Sequence, residues 1–203
     1  MALFSYVVAR DYGFAPNPFG GFCTLATCKP DIRNAAQVGD WVVGTGCAEH
    51  HRTGYLVYAM KVAETLTFDQ YWSDPRFQHK KPDLRASKKL AFGDNIYHRE
   101  DGGWAQADSH HSLPGGIPNE ENIQTDTRVD RILVAAEFAY WGGFGPLIPS
   151  TLRDFHGHDL CIGRGFKRHF PAEMETAFVM WVTVIDRHYG ATDDRRNGAS
   201  LKR

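Results

Sequence analysis

The sequence predicts an α+β fold, and three observations carry that prediction. Short runs rich in Val, Ile, Tyr and Phe recur near residues 3–10, 41–46, 54–64 and 131–140, bounded by Gly, Pro and Asp as strands are. A long polar, glycine-broken segment from Leu90 to Arg131 separates the last two. One stretch near the C-terminus, Pro171 through His188, repeats apolar residues at helical spacing.

Leu3 to Arg10 alternates loosely and reads as a strand entering the core. The stretch D-Y-G-F-A-P-N-P-F-G-G-F that follows has two prolines and three glycines, which excludes a helix or a central strand. Phe22 to Ala26 reads as a short strand, and Pro30 opens a short helix. Val38-Gly39-Asp40 turns into a buried strand, which pairs with Gly54–Glu64 through the Cys47–Thr53 loop. Phe68 to Phe77 forms a short helix that Pro75 ends. Arg131 to Tyr140 is one more strand, and Ile148 to Phe155 suits a short helix. In the final helix Met174, Phe178, Trp181, Val182 and Ile185 share a stripe, with Glu173 and Glu175 in the first turn and Arg187 and His188 in the last, each matching the helix dipole. These elements fit one domain over residues 1–190, with an insert at about 90–131 and a flexible tail over 191–203.

The chain has 203 residues, enough for a core without staples. Its net charge of −1 provides no global basic field, so a nucleic-acid partner must be met by a local patch or be a small piece such as one base. The four cysteines lack zinc-ribbon spacing and read as buried free thiols. No run is long enough to span a bilayer and no secretory h-region opens the chain, so a cytoplasmic protein is expected. Neither a metal nor another cofactor is called for, since no helical H-x-x-x-H or Cys pair supports a metal, and a phosphate loop, a complete dinucleotide fingerprint, a nucleophile elbow, a Cys-His signature and a zinc-deaminase signature are all missing.

Three constellations can carry chemistry. Asp11, Tyr12, Phe14, Asn17 and Phe19 lie on a loop pinned by Pro16 and Pro18; aromatic faces there stack on a planar ring while an amide and a carboxylate read its edge, or the aromatics simply plug the sheet. Asp94, His98, Asp108, His110 and His111 lie in the long segment, where converging they would ligate a metal, relay a proton or hold a phosphate, and otherwise they brace a long loop, the reading favoured over a metal. Neighbouring His110 and His111 point to opposite faces of a strand, so at most one faces any site unless the backbone is irregular, as the following Pro114-Gly115-Gly116 allows. Arg164, Lys167, Arg168 and His169 form a late basic run beside glycines, suited to phosphate oxygens or to a solvated face.

Two stretches resemble a known superfamily. I-R-N-A-A-Q-V-G-D-W-V-V-G from Ile32, followed by G-Y-L-V-Y-A-M-K-V-A-E from Gly54, resembles the helix, Gly-Asp turn and strand pair of PUA-like domains such as EVE, ASCH and YTH. With A-P-N-P-F, C-K-P-x-I-R, G-D-N-I-Y-H, D-S-H-H-S-L-P and the late G-R-G, the whole chain is more similar to the second of the nucleotide modification associated domain families. The resemblance implies a small twisted β-barrel with peripheral helices, a rim pocket for a single, often modified, base, and a setting in bacterial or phage nucleic-acid modification. The insert at 90–131 has no counterpart in ordinary EVE or ASCH domains, so residue-level transfer extends only to the Gly39-Asp40-Trp41 turn and to Arg33 and Asn34.

The leading expectation is a domain that binds a modified nucleobase or nucleotide. Tyr12, Phe14, Phe19, Trp41 and Trp72 supply stacking faces, Asp11, Asn17 and Asn34 read the edge, and Arg33, Arg164 and Lys167 hold phosphate. The alternative is an enzyme on a nucleotide or base, with Asp94, His98, Asp108 and His110 as acid and base. A purely structural or protein-interaction module is the third class.

Overall fold

The computed structural model describes residues 1–185. In chain order the elements are β1 (Leu3–Val8), β2 (Cys23–Leu25), α1 (Pro30–Ala35), β3 (Trp41–Gly46), β4 (Leu56–Lys61), β5 (Glu64–Leu66), α2 (Phe68–Ser73), a 3-10 turn at Pro75–Lys80, and α3 (Lys88–Ala91). They continue with β6 (Tyr97–Glu100), β7 (Gly103–Gln106), α4 (Glu120–Thr127), β8 (Ile132–Ala135), β9 (Glu137–Tyr140), a 3-10 turn at Gly142–Phe144, α5 (Ser150–Arg153), β10 (Phe166–Lys167) and α6 (Ala172–Val184). This is the mixed α+β class expected, and no helix among the described residues is long and apolar enough to cross a membrane. The chain divides into two compact units, each assembled from separated stretches.

The first unit takes Met1–Asp11, Ala36–Val62 and the described residues from Ala136 onward. Its sheet runs β10-β1-β3-β4-β9, with β1 and β3 parallel in register from Leu3↔Trp41 to Val8↔Gly46 and the other pairs antiparallel. All six residues of β3 are buried, which is why its sequence is a continuous apolar and small run with no alternation. Gly44 is small because a Cβ there would come within 2.5 Å of the Tyr58 ring, at the point where the β3–β4 register shifts. The Gly39-Asp40 turn is closed by the Asp40 carboxylate, which accepts from the backbone N–H of Ala2 at 2.7 Å and of Gln37 at 2.9 Å. In α6, Met174, Phe178 and Val182 form the buried stripe and pack in one cluster with Leu3, Trp41 and Val43. The helix ends at Val184, short of the predicted His188; Arg187, His188 and the predicted tail lie outside the described residues.

The second unit takes Tyr12–Ala35 and Ala63–Ala135 among the described residues. It holds the antiparallel sheet β2-β8-β5, the β6–β7 hairpin and an aromatic core that includes Phe14, Phe68, Tyr71, Phe77, Phe92 and Tyr97. A capping box starts α2, Thr67 Oγ1 accepting from Gln70 N and Gln70 Oε1 from Thr67 N.

Several expectations are corrected. The segment 90–131 is not a loop system: it contains β6, β7 and α4. Asp101 and Gly102 both take positive φ, 49° and 81°, the requirement of a tight hairpin turn. Helix α4 starts at Asn119, whose side chain accepts from Asn122 N at 3.3 Å, and it buries Ile123 beside polar Asp126 and Thr127, so it has no apolar period to read. The runs 54–64 and 131–140 each break in two. β4 pairs with β9 in one sheet, β5 with β8 in another, and Val62-Ala63 and Ala136 are the breaks. Among the described residues the three sheets are all open, and the expected small barrel is not one of them.

Candidate functional site

The Arg10–Phe22 loop is held by a buried polar frame in the second unit. Asn17 and Thr24 exchange two backbone hydrogen bonds of 2.9 Å, which fold the loop onto β2. The 3-10 turn at Pro75–Lys80 delivers the Lys80 ammonium, 1 % exposed, to four acceptors: Asn17 Oδ1 at 2.7 Å, Asn17 O at 2.9 Å, Phe22 O at 3.0 Å and Thr24 Oγ1 at 3.2 Å. Asp94 accepts from Thr24 Oγ1 at 2.6 Å and from Tyr71 Oη at 2.7 Å. Burial pushes Lys80 down to about 8 and Asp94 up to about 6, and each charge opposes the other's shift.

On this frame opens a cavity of about 140 Å³ lined by Asn17, Phe19, Gly20, His79, Lys80, Lys89, Leu90 and Gly93. The Lys89 ammonium lies 4.7 Å from the centre of the half-buried Phe19 ring. His79 packs so closely on Gly20 (φ 74°) that a Cβ there would lie 1.7 Å from Nε2. Burial first, and then the Lys80 charge, lower the His79 pKa, which favours a neutral imidazole at this wall.

A second constellation in the same unit gathers Cys28, His111 and Asp126. His111 Nδ1 lies 2.9 Å from Asp126 Oδ2, and His111 Nε2 lies 3.8 Å from Cys28 Sγ. Tyr97 Oη donates to Asp126 Oδ2 at 2.9 Å, and Cys28 N donates to Oδ1 at 2.8 Å. Burial alone would lower the His111 pKa; its hydrogen bonds to Asp126 and Cys28 outweigh that and raise it to about 9. Phe14 stands 4.6 Å from the His111 ring, and the exposed His110 sits edge-on to Tyr12 and Phe14, with Tyr12 stacked on Phe92.

The sequence-predicted residues are dispersed. Asn17 and Phe19 line the cavity. Tyr12 and Phe14 are in the aromatic core of the second unit, 9 % and 4 % exposed. Arg33, expected to hold phosphate, is fully buried and donates to the carbonyls of Cys28, Asp126, Val129 and Arg131. Asn34 is exposed at the end of α1. Trp72 is stacked on His98 at 4.0 Å, with the Lys81 ammonium 3.7 Å from its ring centre. Asp108 accepts from Ser112 Oγ at 2.8 Å. In the first unit Asp11 accepts from Tyr140 Oη at 2.7 Å, Trp41 is a core residue against Phe178, Arg164 is exposed, and Lys167 lies over Phe170. That unit also has a cavity of about 300 Å³, whose wall carries the Arg153–Asp159 ion pair.

Sequence reasoning missed Lys80, Lys89 and His79, and the meeting of Cys28 with His111 and Asp126. A weak signal existed, since C-K-P-x-I-R and D-S-H-H-S-L-P were both among the motifs of the resemblance. His110 and His111 are in a turn, not a strand, and both rings reach Phe14, so the irregular backbone that Pro114-Gly115-Gly116 allows is the one observed.

No curated protein and no solved structure matches the chain. A family model does match, over residues 1–197, nearly the whole chain and both units. The chain belongs to the nucleotide modification associated domain 2 family, which gives it a role in a nucleotide-modification context.

Proposed function

We propose that this protein is a binding domain for a nucleobase or nucleotide, modified in the bacterial or phage setting that the family resemblance implies, and that the cavity at Asn17, Phe19 and Lys89 is its seat. The observation that carries the reading is the placement of one aromatic face and one exposed ammonium on the wall of a cavity whose floor is fixed by Lys80 and Asn17. At about 140 Å³ the cavity is smaller than the roughly 300–1,000 Å³ of sites for drug-sized ligands, which suits one ring or one phosphate. A planar ring on Phe19 contributes about 1–3 kcal/mol, and Lys89 supplies the local positive charge that the overall charge of −1 does not.

Support for a PUA-like module comes from the order of α1, the Gly39-Asp40 turn, β3 and β4. The unbroken family match across both units supports reading residues 1–190 as one domain. The acid and base roles considered for Asp94, His98 and Asp108 have less support, because Asp94 is enclosed by Thr24 and Tyr71, His98 lies on Trp72, and Asp108 holds Ser112.

The test is calorimetry of the intact protein with nucleoside monophosphates, the matching nucleosides and inorganic phosphate. Monophosphates should bind most tightly, and both Phe19→Ala and Lys89→Ala should weaken them. Binding untouched by either change removes the cavity from the account.

A further inference from the structure

We infer that Cys28, His111 and Asp126 form a nucleophilic thiol centre for acyl transfer: Cys28 is the attacking sulfur, His111 its acid–base partner and Asp126 the residue that positions the imidazole. Two hydrogen bonds define it, 3.8 Å from Cys28 Sγ to His111 Nε2 and 2.9 Å from His111 Nδ1 to Asp126 Oδ2. That is the order nucleophile, base, orienting carboxylate that activated cysteines require. The three residues come from separate places, the loop after β2, the turn after β7, and α4, so no helical or strand spacing made them neighbours.

The surroundings favour the same reading. Asp126 is 3 % exposed at its side chain and is fixed from three sides, by Tyr97 Oη, Cys28 N and the bond from Arg33 to its own carbonyl, so it can orient His111 with little freedom of its own. Cys28 is half-buried and is held at φ 57°, a left-handed conformation uncommon for a residue with a Cβ; the next residue, Lys29, also has positive φ. The titratable and charged groups around the sulfur are His111, Asp126, Tyr97 and Arg33. Exposed His110 lies edge-on to the buried Phe14 and Tyr12 rings next to the centre.

The chemistry balances with water as the only co-reactant. The thiolate adds to the carbonyl carbon of an amide or ester, forming a C–S bond; the C–N or C–O bond then breaks as His111 gives its proton to the leaving amine or alkoxide. Water attacks the thioester, His111 takes its proton, and the carboxylic acid leaves with the thiol restored. In a nucleotide-modification context the substrate class is a base or nucleotide that carries an amide- or ester-linked group.

The inference does not depend on ligand binding at the Phe19 cavity, and its test uses neither nucleotide nor phosphate. Intact protein is alkylated with iodoacetamide across a pH series, and peptide mass spectrometry follows Cys28 separately from Cys23, Cys47 and Cys161. Parallel samples receive p-nitrophenyl acetate. The expected result is that Cys28 alkylates faster than Cys23, Cys47 and Cys161 across the series. An acetyl group should also appear on Cys28, with a burst of one nitrophenolate per chain that Cys28→Ser abolishes. His111→Asn and the near-isosteric Asp126→Asn, each checked for native circular dichroism, should slow alkylation of Cys28 at pH 7 about tenfold. A Cys28 alkylation rate that ignores both changes, or nitrophenolate release that survives Cys28→Ser unchanged, overturns the inference. His111 and Asp126 are then braces between the β7 turn and α4.

Discussion

Lys80 and Asn17 are joined twice, the ammonium donating to the Asn17 side-chain oxygen at 2.7 Å and to its backbone carbonyl at 2.9 Å. One buried cation therefore fixes both the backbone and the side chain at the centre of the A-P-N-P-F loop. The loop's rigidity comes from this contact as much as from its prolines, and the position of Phe19, two residues on, follows from it.

Lys80→Met is accordingly expected to be severe. It removes the donor to Asn17, Phe22 and Thr24 and leaves Asp94 without its opposing charge, a change of the type that costs about 3–5 kcal/mol. Urea unfolding checks it, and the double variant Lys80→Met with Asp94→Asn should recover part of the loss, because the uncompensated charge is gone.

Arg33 was expected to meet phosphate, and its environment predicts otherwise. Arg33→Lys keeps the charge but cannot reproduce a planar fork that reaches four carbonyls, so stability should fall by about 2–4 kcal/mol while nucleotide affinity of the folded fraction stays within about twofold. Thermal melts and calorimetry on the same sample separate the two effects.

The two glycines that end the loop make an internal comparison. Both have positive φ, but a Cβ on Gly20 meets His79 whereas one on Gly21 meets nothing within 4 Å. Gly21→Ala should show only the left-handed strain of about 1–2 kcal/mol, and Gly20→Ala more, together with a displaced His79. Equal losses in a denaturant titration would mean that His79 simply moves aside.

His111 makes stability depend on pH. Its pKa rises on folding from 6.5 to about 9, so the folded state binds the proton more tightly than the unfolded one. The stabilisation, about 3 kcal/mol, is fully present below pH 6.5 and is lost as pH rises through 9. Melting temperature followed from pH 6 to 10 should fall over that window in the native chain, and the fall should flatten in His111→Asn.

Local signals in the chain reached local structure. Pro30 starting α1, the Gly39-Asp40 turn, the β3–β4 pair and the stripe of α6 were legible because each is decided within one element or between neighbours in the chain. The β6–β7 hairpin had an Asp-Gly signal that the surrounding polarity hid, and α4 was hidden because what it buries beside Ile123 is polar Asp126 and Thr127. The breaks after β4 and β8 depend on pairing with distant strands, which no run of hydrophobic residues records. Of the candidate site, Asn17 and Phe19 were legible from their loop; Lys80 was not, since a lysine read alone is a surface residue until four acceptors are found around it. Cys28 and His111 are 83 positions apart, and only folding makes them neighbours.

The most direct test of the central claim is calorimetric titration of the intact protein with a nucleoside monophosphate, beside Phe19→Ala and Lys89→Ala variants shown to melt normally. The account predicts micromolar binding of one ligand per chain, weakened about tenfold or more by losing the ring and several-fold, with reduced salt dependence, by losing the ammonium. Equal affinity in all three proteins, or saturable binding by none of them, would contradict it.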